Sequence, residues 1–440
     1  MKIYKSQSLE SELSGNIIDL CPVGALTSKP FRFSARAWEL QQLPSIAPHD
    51  CLGSNIYLHT RRNQVMRAVP RENEAINETW LSDRDRYSYL AIHSTERLTK
   101  PYIKENGQWF IVDWDTALEK AVQGLKKIRQ KYGPQSMGAL ISPSSTTEEC
   151  YLLQKLWRGL GSQHIDHRLH QTDTSDQSSL PLYLPGIPLP ELEQQQSVLL
   201  IGSNIQREQP LAAHRLRKAY LSGAKITSIH CVAIGVSFPL TESIVVPPHQ
   251  LVLQLIALIK ALACQETILP KEWSDITVTA QHRNIAEELK VEKTTVILGA
   301  LAHNHPQAAL IRQLARCITT QTGARLIFLT EGANSAGAYW AGAVPHRLAG
   351  GIDIATPGLA AHEMINAALK AYFLVNIEPP LDCANSSQVT HALRQAEWVI
   401  ALSSFKSKSL LNHAQVLLPM ATFAETEGSY VNLAGIQQRP

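Results

Sequence analysis

SVLLIGSNIQREQPLAAHRLRKAYLSGAKITSIH, Ser197 to His230, is the stretch that decides the fold class. SVLLIG is a short apolar run closed by a glycine, a helix reads from about Pro210, and AKITSIH is a second apolar run. Strands joined by a helical crossover lie parallel, and a parallel sheet is covered on both faces, so its strands are apolar throughout instead of alternating. The same order recurs outward from this stretch. Downstream come TTVILG, a helix opened by Pro306, RLIFLT, AYFLVNI and EWVIALS, and upstream lies GALIS, Gly138 to Ser142. The expected class is α/β with parallel sheets.

Before GALIS the pattern changes. IYLHT and VMRAV, separated by Arg61 to Gln64, read as a hairpin. In YIKENGQWFIV the Asn106-Gly107 pair supplies the positive-φ residues of a tight hairpin turn. Leu118, Ala121, Val122, Leu125 and Ile128 then mark one face of a helix stopped by Gly133. A second helical face carries Leu152, Leu153, Leu156, Trp157 and Leu160, with Gly161 at its end.

At 440 residues the chain exceeds the roughly 250–300 at which one core stops growing, which predicts two or three domains. Charged residues make up 18%, below the about 25% of soluble domains, and a surface partly covered by neighbouring subunits is expected. A net charge of +3 gives no basic stripe for a phosphate backbone, so nucleic acid is not an expected partner. The most apolar run, Leu251 to Cys264, carries Gln254 and Lys260 and is too short for roughly 30 Å of hydrocarbon. It reads as a core helix, and no transmembrane segment is expected. Cysteines at 21, 51, 150, 231, 264, 317 and 383, without a signal peptide, indicate a reducing, cytosolic compartment. Truncation at both ends is expected, since the chain runs straight into a motif and stops just after a strand-like stretch.

Two cysteines stand in turns. DLCPVGAL, Asp19 to Leu26, places Pro22 after Cys21, as in the closing element of the bacterial ferredoxin ligand run. A buried structural cysteine before a turn is the alternative. PSIAPHDCLGSNI, Pro44 to Ile56, holds Cys51 alone in a Pro- and Gly-punctuated loop. A zinc or iron site from His49, Asp50 and Cys51 is disfavoured, because adjacent residues rarely converge on one ion and no fourth donor is near in sequence.

ELSGNIIDLCPVGALTSKPFRFSARAWEL, Glu12 to Leu40, resembles the segment that closes the ferredoxin-like region in the family of large iron–sulfur subunits of NADH:quinone oxidoreductase, respiratory complex I. The resemblance continues through PSIAPHDCLGSN, PRENEAINETWLSDRDRYSY, SPSSTTEECYLLQKLWRGLGSQHIDHRL, LLIGSNIQREQPLAAHRLRKA, LTEGANSAGAYWAGAVPHR and LLPMATFAETEGSYVN. It covers nearly the whole chain. It implies that Cys21 is the fourth thiolate of a 4Fe-4S cluster whose other three ligands are absent from this sequence.

The family is similar in turn to the molybdopterin oxidoreductases, whose cap domain binds a 4Fe-4S cluster through CxxCxxxC and a distant cysteine. On that pattern the positions fall on Ala47, Asp50, Ser54 and Ser82, none a cysteine, which implies a lost cluster with Cys51 as a buried neighbour. The molybdenum-ligand slot falls near Thr172, with Ser175 close by in HIDHRLHQTDTSD, and molybdopterin and molybdenum are expected to be absent. LLIGSN and GANSAGAYWAG resemble phosphate-wrapping turns, but neither is a GxGxxG or Walker run, and glycine relieves turn strain by itself.

The remaining candidates read as structural. His303-Asn304-His305 ahead of Pro306 reads as a cap and turn, and Ser144-Ser145 ahead of TTEE as a helix start. There is no HExxH motif and no triad candidate.

The resemblance implies three regions: residues 1–40, the end of a ferredoxin-like 4Fe-4S module; 41–100, a β-rich cap; and 101–440, a truncated molybdopterin-oxidoreductase-like α/β body. It implies a mostly scaffolding subunit, not catalytic alone, in an enzyme that passes electrons from NADH to quinone coupled to proton translocation. NAD and FMN would lie on partner subunits of the peripheral arm, at the cytoplasmic face of a bacterial inner membrane or the matrix face of a mitochondrial one. The rivals are an active molybdopterin enzyme, such as a formate dehydrogenase or nitrate reductase relative, and a free-standing remnant without partners.

Overall fold

The computed structural model describes residues 10–179, 186–263 and 270–440, so Cys264 at the end of the apolar run lies outside the described residues. Its strands, in chain order, are β1 (Gln41–Ile46), β2 (Asn55–Arg61), β3 (Gln64–Pro70), β4 (Tyr102–Glu105), β5 (Gln108–Ile111), β6 (Met137–Ile141) and β7 (Ile165–Asp166). There follow β8 (Ser197–Ile201), β9 (Lys225–His230), β10 (Glu242–Val245), β11 (Thr294–Leu298), β12 (Arg325–Phe328), β13 (Ala371–Val375), β14 (Trp398–Ser403) and β15 (Val416–Pro419).

The stretch Ser197–His230 forms the βαβ unit its pattern dictates: β8, the helix Pro210–Leu221, and β9 beside β8 in parallel register. β8 is buried along its whole length, as a strand covered on both faces must be. Five parallel strands pair in the order β10-β9-β8-β11-β12. A second sheet has the order β5-β4-β15-β14-β13-β6-β7. There β6, β7, β13, β14 and β15 run parallel, while the Asn106-Gly107 hairpin docks antiparallel on β15. β1, β2 and β3 form a separate antiparallel cap sheet, whose β2–β3 turn puts Arg62 and Asn63 at positive φ.

Alternate residues of each α/β sheet feed opposite cores. Ala139, Ile141, Phe373 and Val375 pack with the fully buried Trp157 on one face, while Leu140, Tyr372 and Leu374 pack with Met364 and Leu393 on the other. Removing the Trp157 side chain would cost about 3–5 kcal/mol. The helix Leu251–Leu262 is a core helix, as expected, and lies against β8 and β11 residues. Its Lys260 donates to the carbonyls of Trp273, Ser274 and Ile276, which satisfies the ammonium beside an apolar core. No described helix is long and apolar enough to cross a membrane.

Three expectations need correction. The helix Trp114–Tyr132 buries Ala117, Ala121, Gly124, Leu125 and Ile128 and leaves Leu118 and Val122 half exposed. The cause is Gly124, whose missing side chain lets the Trp398 ring press on the helix; a Cβ there would lie 1.9 Å from Trp398 Cε2. The helix Thr147–Gly159 likewise turns Leu153 and Trp157 inward but leaves Leu152 and Leu156 outside. Pro306 does not open a helix: the helix is Ala308–Thr322, and the turn before it is held by His305 Nδ1, which accepts from Gln307 N–H at 3.0 Å.

Candidate functional site

Cys21 ends the short helix Asn16–Leu20 in an extended conformation, and Pro22 forces the chain to turn. Gly24 takes φ +66 in that turn, and Leu26 N–H donates to Cys21 Sγ at 3.4 Å. The Leu26 amide, assisted by the amides of Ala25, Val23 and Gly24, holds the Cys21 thiol below its ordinary pKa. This favours thiolate, the form that binds soft metal. The helix is tied to the cap through Asn16, which donates to Leu81 O at 2.8 Å and accepts from Leu81 N at 3.0 Å, and through the Arg86–Asp19 ion pair. Leu20, Val23, Phe33 and Trp38, near it in sequence, are exposed apolar side chains. Among the described residues no group of three or more His, Cys, Asp or Glu side chains is placed to hold a metal ion.

The loop after β1 is built differently. Ala47, Asp50, Ser54 and Ser82 are all buried, and the loop meets the Ser82 turn through two side-chain bridges. His49 Nδ1 pairs with Asp85 Oδ1 at 2.7 Å, and Arg84 Nη2 donates to Asp50 Oδ2 at 3.1 Å. Ser82 Oγ donates to Asp85 Oδ2 at 2.7 Å and accepts from Asp85 N–H, so Ser82 caps the helix Asp83–Tyr87. Burial first, and then the neighbouring Asp85, push the Asp50 carboxyl up to about 6 against the pull of Arg84. Cys51 turns away into the core with Leu52, Leu329 and Leu433, where burial raises its thiol pKa strongly. His49, Asp50 and Cys51 therefore do not converge.

Open α/β sheets bind ligands outside the carboxyl ends of their strands, where the strand order reverses. In the five-stranded sheet that point lies between β8 and β11, and it is occupied by the chain itself. Glu208 accepts from Asn204 N–H at 2.7 Å with Oε1 and from Ala300 N–H at 3.1 Å and Ser203 Oγ at 3.3 Å with Oε2. A carboxylate there takes the amides a phosphate would use and repels phosphate charge. Gly202 reads as close packing, since a Cβ on it would lie 2.7 Å from Ala302 N.

The cleft between the two sheets narrows to a cavity of about 20 Å³ lined by His167, Arg168, His170, His303 and Glu331. Arg168 is locked to buried Asp166, and His170 to Glu331 at 2.8 Å. Ligand pockets for organic molecules run to about 300–1,000 Å³, so the residues present at this cleft do not fit a pterin dinucleotide. Thr172 and Ser175, the expected metal-ligand slot, are exposed and do not line it. The turn GANSAGAYWAG instead ties the segment after β12 to the loop after β6 and to the stretch after β15: Asn334 donates to Ser145 O and accepts from Val431 N–H, each at 2.7 Å.

Glu208 and Asp166 carry no signal in sequence. Asp85 does: Ser82-Asp83-Arg84-Asp85 is a Ser-x-x-Asp helix start.

Residues 97–439 match the molybdopterin oxidoreductase family model. Residues 40–90 match the NADH-ubiquinone oxidoreductase NDSU1/NuoG-like 4Fe-4S domain, and residues 1–27 the ferredoxin-like domain of NADH-quinone oxidoreductase subunit 3. The chain is 30% identical over 447 aligned positions to the G subunit of NADH-quinone oxidoreductase from Rickettsia bellii, covering 99% of this chain and 56% of that relative. It is 37% identical over 243 positions to the same subunit from Rickettsia typhi, covering 55% of this chain and 34% of the relative. To the NADH-ubiquinone oxidoreductase 75 kDa subunit of Reclinomonas americana it is 38% identical over 237 positions, covering 50% and 33%. The chain thus spans between a third and about half of these relatives' lengths. Acetylene hydratase from Pelobacter acetylenicus shares the fold, with a TM-score of 0.58 at 14% identity over 89% of this chain and 66% of that one.

Proposed function

Because the chain belongs to the molybdopterin oxidoreductase family, and the crevice between β8 and β11 is filled by its own Glu208 side chain, we propose that it serves as a large iron–sulfur component of NADH:quinone oxidoreductase. In that role it sits in the peripheral arm, on the cytoplasmic face of a bacterial inner membrane or the matrix face of a mitochondrial one. NAD and FMN are bound by neighbouring subunits. Most of the chain from about Gln41 onward is scaffold.

The observation that carries this reading is the Cys21 turn. Cys21 is the fourth thiolate of a 4Fe-4S cluster, and the other three ligands come from outside the described residues. When bound, such a cluster supplies one-electron transfer. The backbone amides of Leu26 and its neighbours spread the negative charge on Sγ, which raises the potential of a cluster ligated there. Asn16 and Arg86 hold the helix that presents Cys21 against the cap, fixing the position of the sulfur.

The competing reading, an active molybdopterin-dependent oxidoreductase, has only the fold in its favour. Metal analysis of the purified assembly separates the two. Iron in the assembly, with co-purifying flavin- and quinone-side subunits, is the expected result. Stoichiometric molybdenum or tungsten overturns the proposal, and a lone monomer with no partners favours a free-standing remnant.

A further inference from the structure

The helix Trp114–Tyr132 leaves one strip of its surface uncovered, and the strip has an order. Asp115, Leu118, Val122, Lys126 and Arg129 are all exposed and follow one another at intervals of three, four, four and three, which puts them on one side of the helix. The spacing reads the same in both directions from Val122. The chemistry reverses: Asp115, with Glu119 beside it, makes the N-terminal end acidic, and Lys126 and Arg129 make the C-terminal end basic. Nearby Lys120 and Lys131 pair with Glu105 and Glu397, but no ion pair among the described residues uses Asp115, Glu119, Lys126 or Arg129.

The helix Thr147–Gly159 widens this strip. Both helices pack into the core on the same face of the seven-stranded sheet, and their C-terminal ends meet where Gln135 Nε2 donates to Gly161 O at 3.2 Å. Leu152 and Leu156 of the second helix are 63% and 49% exposed, against 45% and 47% for Leu118 and Val122. Single exposed apolar side chains need no explanation, but four on two neighbouring helices form a patch of the kind that marks a protein interface. Helices of 19 and 13 residues are about 28 and 20 Å long, so the face they share suits the roughly 600–1,000 Å² a side of a standard interface.

We propose that this face pairs with the same face of a second copy of the chain, in a two-fold dimer whose Trp114–Tyr132 helices lie antiparallel across Val122. A two-fold interface must be complementary to itself. Turning the strip end over end about Val122 sets Asp115 opposite Arg129, Leu118 opposite the methylene stem of Lys126, and Val122 opposite its own copy. Glu119 then lies beside Lys126 of the copy, and the Leu152 and Leu156 edges of the two copies fall on the same side of the paired helices. A second copy supplies the matching order of charges by necessity, whereas a surface with another order would meet like charge at one end. The inference rests neither on Cys21 nor on the electron-transfer reading.

Sedimentation velocity of the purified full chain should show a concentration-dependent dimer with a dissociation constant on the order of micromolar, weakened by salt. Asp115→Lys with Glu119→Lys in one variant, and Lys126→Glu with Arg129→Glu in another, put like charges at both ends of the pair. Each variant alone should dimerise at least about tenfold more weakly. Mixed in equal amounts, the two should form a heterodimer of about parental affinity, because each reversed end then meets its opposite. Val122→Cys should crosslink to its own copy under mild oxidation, whereas Gln123→Cys, one position round the helix, should crosslink no more than the parent. If a charge variant fails to fold, the Val122→Cys crosslink decides. A parent that stays monomeric at about 100 µM, reversed variants that dimerise like the parent, or a mixture no tighter than its components overturns the proposal, and a monomeric parent assigns the face to a partner of different sequence.

Discussion

Cys21 and Cys51 are thirty positions apart, each in a turn near a proline, and the fold gives them opposite chemistry. Cys21 is partly exposed, and backbone amides around its sulfur favour thiolate. Cys51 is buried among leucines beside the Asp50 carboxylate, and both surroundings favour the neutral thiol. Side-chain identity does not make a ligand; the groups within a few ångströms of the sulfur do.

The sharpest way to break this contrast is substitution in the complete complex. Cys21→Ala should abolish one 4Fe-4S EPR signal and NADH-to-quinone transfer, whereas Cys51→Ala should preserve both. Unchanged electron flow in the first variant, or a lost signal in the second, reverses the assignment. Next in size is thiol reactivity. In the cluster-free chain at pH 8, iodoacetamide should label Cys21 at least about a hundredfold faster than Cys51, as read by peptide mass spectrometry.

The polar network beside Cys51 gives smaller effects. Asp85→Ala strands His49 and Ser82 and should destabilise the fold by about 2–4 kcal/mol in urea titration. A loss below about 1 kcal/mol would mean that the bridge to the loop is not what holds it.

Asp50 makes a pH-dependent contribution of the opposite sign. Its carboxyl titrates at about 6 in the fold against an ordinary 3.8. Below about pH 4 both states hold the proton and burial carries no penalty. As pH rises from 4 to 6 the unfolded chain releases its proton first, so stability falls, and above about 6 the full penalty of up to about 3 kcal/mol is present. The stability of Asp50→Asn relative to the parent should therefore improve by up to that amount between pH 4 and 7, and a flat difference refutes the burial of an ionisable Asp50. Cys51→Ala should be smallest, at about 1 kcal/mol from lost packing.

Much of the architecture was legible in sequence. SVLLIG and AKITSIH read as parallel strands because they are short, largely apolar runs joined by a helical crossover, and Asn106-Gly107 marked its hairpin because few residues tolerate positive φ. Helix orientation was less legible. The periodicity around Leu118 and Val122 showed that apolar residues share a side, but not that Trp398, more than 270 residues onward, would claim the strip at Gly124. At the candidate site the Cys21 turn was readable because Leu26 is only five residues away. The bridges from His49 to Asp85 and from Asp50 to Arg84 were not, because their partners lie 36 and 34 residues apart.

By itself, then, the sequence determined the strands, the crossovers, the tight turns and the local setting of Cys21, all of which depend on interactions a few residues long. Only the tertiary structure decided that Glu208 fills the switch-point crevice between β8 and β11. It also decided that carboxylates and a histidine knit the loop around Cys51. Those outcomes depend on groups that meet within about 3 Å only after the chain has folded, and no local propensity encodes such a meeting.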